Sequence, residues 1–274
     1  MTYFQRHAYQ IGAGIALLLW PFFPKRRRIA VDNILRAKIT ADPKEARRMA
    51  KYSFGHLAGH VAEAMFVPKV VNAANWQEHL DMTTSASPAA VELLLHTPDT
   101  PILLASSHHG VWEAACNILS ITRPMIAIAR IQNNKLVASW MRKHHFRGPV
   151  TLVDKNHGFT PTILRQWKDD CAAFTILMDQ YNHRGAKVQF MGRPARTFTT
   201  VARLAMRTGY PIVVGSFVRD VPYKYRLVGG DPISFKKDAD LNEAVQLLND
   251  RLEAAIRLAH PEQYLWAHRR WRDD

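Results

Sequence analysis

The chain has 274 residues, 47% of them hydrophobic, with 37 Lys and Arg against 23 Asp and Glu and a formal net charge of +14 at neutral pH. That is enough to bury a sizeable core in one large α/β domain with an N-terminal extension. Two cysteines, Cys116 and Cys171, exclude a disulfide framework and read as reduced core residues facing the cytoplasm.

From the N-terminus, Ile11 to Phe23 is an unbroken apolar or glycine stretch, followed by Pro24-Lys25-Arg26-Arg27-Arg28. It falls short of the roughly 18–20 residues that a membrane-crossing helix requires. The basic flank is a poor site for signal cleavage. The stretch is expected to stay uncleaved and dip into a bilayer, with Lys25 to Arg28 on anionic headgroups; a buried core helix is the plainer alternative. Ile29 to Val67 has helical spacing, with Asp42-Pro43 as N-cap and first turn, and Ser87-Pro88 marks another helix start.

An α/β alternation then runs through strand Ile102–Ser106, helix Val111–Leu119, strand Met125–Ala129, helix Asn134–His144 and strand Val150–Val153. A helix near Thr160–Trp167, strand Ala172–Met178, helix Thr200–Thr208 and strand Pro211–Phe217 follow. Tyr223–Val228 alternates like a half-exposed strand, and Leu241–Leu258 is a strongly amphipathic helix. With no repeat and no long linker, the pattern predicts a single α/β sandwich. Residues 1–28 form a membrane-associated segment in this reading, and 29–274 the catalytic domain.

Three segments carry candidate chemistry. In Ser106-Ser107-His108-His109-Gly110-Val111-Trp112-Glu113, His108 stands at the carboxyl end of a buried strand, where open α/β sheets place their sites. Glu113, five positions on, is expected to fold back, fix the tautomer and stabilise the charged ring, as a histidine general base acting on an alcohol requires. The alternative is a strand-end histidine beside an unrelated helix-start glutamate. Asp179-Gln180 follows another buried strand and reaches the same sheet edge, or is an ordinary strand-to-loop junction. Phe190 to Thr200, with Gly192 and Arg193, either places small and basic residues before a helix to hold a phosphate at its N-terminus or is a capping turn with a surface arginine pair. Arg130, at the end of a strand, and Arg142 are candidates for an oxyanion or a carrier phosphate. No metal-ligand spacing, nucleophile elbow or nucleotide-binding glycine motif is present.

Taken together, these segments resemble the bacterial lipid A biosynthesis (lauroyl/myristoyl) acyltransferase family, within the lysophospholipid acyltransferase superfamily. The resemblance rests on His108-x4-Glu113, Asp179-Gln180, the Phe190–Thr200 stretch, Arg28 to Leu35 and above all Pro261-Glu262-Gln263-Tyr264-Leu265-Trp266-Ala267-His268-Arg269-Arg270-Trp271. It spans nearly the whole chain in order. The Phe-Pro-Glu-Gly-Thr-Arg block usual in the glycerophosphate acyltransferase branch is absent.

The resemblance implies a glycerolipid-acyltransferase-like sandwich and an enzyme on the cytoplasmic face of the inner membrane, without a cofactor. Such an enzyme moves a fatty acyl group from an acyl carrier protein or CoA thioester to a hydroxyl of a membrane lipid. His108, Glu113, Asp179 and Arg130 are the expected catalytic residues, and Arg142, Gln180, Gly192 and Arg193 the expected substrate-binding ones. The basic charge suits an anionic membrane surface and an acidic carrier. The rival is a non-catalytic, membrane-peripheral lipid-binding protein on the same fold. Nucleic-acid binding has only the charge behind it and no recognition motif.

Overall fold

The computed structural model describes residues 1–129, 149–154 and 160–272. Arg130, Arg142 and the helix expected at Asn134–His144 lie outside the described residues.

Helices α1 (Tyr3–Leu19), α2 (Pro24–Arg36) and α3 (Pro43–Ala64) precede the sheet, followed by the one-turn helices α4 (Val67–Val70) and α5 (Trp76–His79). Then come β1 (Leu80–Asp81), α6 (Pro88–Leu95), β2 (Ile102–Ser106), α7 (Trp112–Leu119), β3 (Met125–Ala129) and β4 (Val150–Asp154). The remainder is α8 (Pro161–Asp169), β5 (Ala173–Leu177), β6 (Ala186–Phe190), β7 (Arg193–Thr197), α9 (Thr200–Thr208), β8 (Ile212–Val221), β9 (Lys224–Gly229) and α10 (Leu241–Leu258).

Seven strands form one sheet in the order β1-β9-β8-β2-β5-β3-β4. Only the β8–β9 pair in it is antiparallel. β2 lies at the centre and is buried at every residue, which is why it reads as a continuous apolar run rather than an alternation. Leu103 and Ala105 face one core layer, with Phe174, Val214, Ala202 and Leu248. Ile102 and Leu104 face the other, with Ala173, Val213, Ile118 and Leu119. Helices on both faces of a mostly parallel sheet make the expected α/β sandwich.

α1 begins on a capping box between Thr2 and Gln5 and packs along α3 through small residues. A β-carbon at Gly12 would stand 2.7 Å from the Ala58 carbonyl oxygen, and one at Gly59 would stand 2.9 Å from the Tyr9 ring. The opposite side of α1 and the turn after it expose Phe4, Ile15, Leu18 and Phe22, the last two at 77% and 76%. The segment is thus docked on one face and openly apolar on the other, and neither sequence reading anticipated that combination. Among the described residues no helix is long and apolar enough to cross a membrane. α2 runs through residue 28, so the basic stretch and the Arg28–Leu35 motif share one helix.

Two local expectations are corrected. Phe190–Thr200 is not a capping turn: residues 193–197 are the second strand of a β6–β7 hairpin, turned at Met191-Gly192 with φ of 56° and 71°. Positive φ at both central residues gives the tight turn whose twist matches the strands. Cys171 is not in the core. It is partly exposed at a turn after α8, with a φ of 47°, whereas Cys116 is buried in α7.

Candidate active site

β2 and β5 are parallel neighbours with Ser106 opposite Leu177. His108 and Asp179 each follow their strand by two residues, so the register carries both to the same level at the carboxyl edge of the sheet. There His108 Nδ1 meets Asp179 Oδ1 at 2.8 Å. Asp179 is buried and His108 largely so, with side-chain exposures of 2% and 18%. Burial alone would raise the Asp179 carboxyl. The facing His108, by charge and hydrogen bonding, outweighs it with help from Arg270, and the carboxyl is held below its usual range.

An ionised Asp179 takes the proton on Nδ1 as its hydrogen-bond donor, which leaves the lone pair on Nε2. The Gln180 side-chain amide lies 3.2 Å from that Nε2 and donates to it. The Trp112 ring lies edge-on to the imidazole at 5.0 Å between centroids. This is an oriented histidine with one nitrogen tied to a carboxylate and the other turned toward an exchangeable donor, the arrangement of a general base.

Glu113 sits in the first turn of α7. Burial pushes its carboxyl up to about 7, against the pull of the nearby His108 charge. The hydrogen-bond partner of His108 Nδ1 is Asp179.

The loop that carries His108 is shaped by Gly110. Its φ is +75°, and the Val111 N–H donates to the Phe217 carbonyl at 2.6 Å. Next to it His109 is fully buried with Nε2 on the His260 carbonyl, and burial holds its ring down to about 4, so it stays neutral. The segment 261–271 staples this loop from outside. Leu265 N–H donates to the His108 carbonyl at 3.0 Å, and Gly110 N–H to the Gln263 carbonyl at 3.3 Å. The Gln263 side chain also exchanges two hydrogen bonds with the backbone of Arg219. Arg270, buried behind the site, donates to the carbonyls of Gln180 and Arg196 and to the Thr197 hydroxyl.

Of the expected site residues, the structure brings His108, Asp179, Gln180 and Glu113 to one end of β2 and β5. Gly192 and Arg193 lie at the hairpin turn, where the Arg193 guanidinium stacks 4.5 Å over Trp271. Arg270 and Gln263 were missed as supports of the site. Their signal was the density of aromatic and basic residues in the segment 261–271, noted without a role.

Buried behind α1 is a further polar cluster that the sequence did not signal. Arg219 pairs with Glu63 at 2.9 Å, Tyr225 donates to the same carboxylate, and the Arg219 guanidinium lies 3.7 Å from the Tyr9 ring centroid. Tyr9 also reaches His56 Nδ1 at 3.0 Å, and His56 Nε2 meets the Gly110 carbonyl at 3.0 Å. Through that chain of contacts the N-terminal helix touches the loop that carries His108.

Comparison with known proteins gives a consistent result. The family described as "Bacterial lipid A biosynthesis acyltransferase" matches residues 5–273. The chain is 24% identical over 270 residues to the lipid A biosynthesis palmitoleoyltransferase of Escherichia coli (strain K12), covering 96% of this chain and 84% of that protein. The lipid A biosynthesis acyltransferase of Shigella flexneri matches to the same extent.

Proposed function

The chain belongs to the bacterial lipid A biosynthesis acyltransferase family, and from that premise we propose that it transfers a fatty acyl group from an acyl carrier protein or CoA thioester to a hydroxyl of a membrane glycolipid such as a lipid A precursor. The observation that carries this reading is the Asp179–His108 hydrogen bond, which leaves His108 Nε2 as the basic nitrogen at the sheet edge.

In the proposed reaction the acceptor hydroxyl displaces the Gln180 amide and gives its proton to His108 Nε2 as its oxygen attacks the thioester carbonyl. Asp179 stabilises the imidazolium that forms. The tetrahedral intermediate collapses with cleavage of the C–S bond, and the departing sulfur takes the proton back from Nε2. The products are the acylated lipid and the free thiol, without an acyl-enzyme. Arg130 is assigned to the oxyanion on the sequence reading alone, and Arg142 and Gln180 to substrate. Cys116 suits a reaction without a thiol nucleophile, because burial pushes it up to about 12.

The work is proposed to occur at the cytoplasmic face of the inner membrane. The exposed apolar side chains Phe4, Ile15, Leu18 and Phe22 would enter the leaflet, and Lys25 to Arg28 would meet anionic headgroups.

The test is a purified-enzyme assay with acyl carrier protein thioester and acyl-CoA supplied separately, a lipid A precursor as acceptor, and lipid mass spectrometry as readout. Acylated lipid that appears with stoichiometric free thiol supports the reading. Thiol release without acylated lipid, or an acylated protein by intact mass, sinks it.

A further inference from the structure

A basic cleft lies beside the candidate base. Lys25 and Arg26 from α2, and His268, Arg269 and Arg272 from the segment after α10, line with Ile29 a half-open cleft of ≈ 320 Å³. Four of these six residues are permanent cations and none is acidic. Burial holds the fifth basic residue, His268, down to about 4, so its ring is neutral and contributes hydrogen bonding rather than charge.

The cleft is joined to the catalytic edge by one residue. The Tyr181 N–H donates to His268 Nε2 at 3.4 Å, and the Arg272 guanidinium lies 4.9 Å over the Tyr181 ring. Tyr181 follows Gln180, whose amide meets His108 Nε2. The C-terminal segment sorts its arginines: Arg270 points inward to brace the Gln180 carbonyl, whereas Arg269 and Arg272 are exposed. Arg26 is also held in place, donating to the Ala267 carbonyl at 3.0 Å.

Four like charges gathered with no carboxylate among the described lining residues repel one another until an anion joins them. Guanidinium groups match the paired oxygens of a phosphate. Phe22 and Phe23, immediately before Pro24-Lys25, are 76% and 43% exposed, so the cleft opens next to apolar side chains that suit acyl chains or a bilayer surface.

We propose that this cleft binds a phosphate group on the headgroup of the acceptor lipid and thereby presents the lipid's hydroxyl to His108. The proposal rests on the reading that the acceptor is a membrane lipid. It adds the anion that the acceptor must carry and the residues, Lys25, Arg26, Arg269 and Arg272, that take it.

The experiment is calorimetric titration of the full chain in neutral detergent with dihexanoyl phosphatidic acid, dihexanoylglycerol, inorganic phosphate and CoA. It compares wild type, the double variant Arg269→Gln/Arg272→Gln, the single variant Lys25→Gln, and a control double variant Arg203→Gln/Arg207→Gln. The control removes two exposed charges from α9, away from the cleft. Wild type should bind phosphatidic acid and not the neutral diacylglycerol. The cleft double variant should bind it at least about tenfold weaker, the loss of charge-assisted contacts worth about 1.4 kcal/mol or more, with Lys25→Gln intermediate and the control unchanged.

Equal weakening in both double variants, or in neither, would make the attraction a property of the whole basic surface and overturn the site. Tighter binding of inorganic phosphate than of the phosphate lipid would overturn the lipid assignment. Loss of CoA binding with phosphatidic acid binding intact would give the cleft to the donor. Binding is read without turnover, so failure of acyl transfer and failure of this site are separate results.

Discussion

Gly110 approaches Phe217 so closely that a β-carbon on it would stand 1.9 Å from the Phe217 carbonyl oxygen. This contact joins the loop after β2 to β8 and sets where His108 sits. Gly110→Ala must both move the β8 backbone and hold a non-glycine residue at φ +75°. It is expected to cost more than about 2 kcal/mol, seen as a fall in denaturation midpoint, with activity lost in whatever fraction stays folded. A folded, active Gly110→Ala protein would show that the loop position is not fixed by this approach.

His108→Ala should lower acyl transfer by roughly 10²–10⁴-fold, the usual contribution of a general base. Asp179→Asn should fall by at least about 10²-fold, because an amide can present its N–H to Nδ1 and leave the proton on Nε2. Steady-state rates with circular dichroism on both variants decide the matter. An Asp179→Asn enzyme near wild-type rate would separate the carboxylate from the chemistry.

Glu113 makes a prediction about stability against pH. Its carboxyl moves from the ordinary 4.5 to about 7 on folding, because burial disfavours the charge. A group raised in the folded state contributes stability that is full below pH 4.5 and is lost as pH rises through about 7. The change is worth about 3 kcal/mol. Melting temperature should therefore decline over that window in wild type and decline less in Glu113→Gln. Parallel curves for the two proteins would mean that the carboxyl is not buried in this way.

The two faces of α1 separate membrane contact from folding. Leu18→Glu and Phe22→Glu change exposed side chains. They are expected to leave the melting temperature within about a degree or two, while sedimentation with anionic vesicles weakens by at least about tenfold per substitution, from ~1.5–3 kcal/mol of apolar burial forgone. Gly12→Val and Gly59→Leu press instead into Ala58 and Tyr9 and should destabilise the whole domain. For the same reason removal of residues 1–24 is expected to unfold the protein rather than solubilise it, since it strips Tyr9 from Arg219 and His56. A truncated chain that stays folded in a proteolysis assay would overturn this.

Much of the sheet was legible because β2, β3 and β5 are apolar runs closed by small or polar residues, and α9 and α10 have clean helical periodicity. That His108 and Asp179 reach one sheet edge could be read for the same reason. That they touch could not, since it depends on β2 and β5 being adjacent and in the Ser106–Leu177 register, a relationship between strands 71 positions apart in sequence. The five-residue spacing pointed to Glu113 because it is local.

The β6–β7 hairpin stayed hidden because the buried positions of β7 are Arg193, Ala195 and Thr197 rather than large apolar residues, Pro194 interrupts that strand, and its turn is Met-Gly rather than a stronger turn pair. The inward docking of α1 was masked by composition. Glycines that serve as contact points along α3 look, in sequence, like parts of a membrane-seeking stretch.

The staple over the His108 loop has a consequence for how the protein is made. His109 and His260 are 151 positions apart, and the hydrogen bonds to His108 and Gly110 come from still later residues. A ribosome that has already released β2, α7 and β5 holds a nascent chain whose His108 loop still lacks Gln263 and Leu265. Pairing over such separation is slow to form, and the sheet can be complete well before the loop is held. The position of His108 is therefore fixed as a late event of synthesis, when residues 261–271 emerge and close over the edge of the sheet.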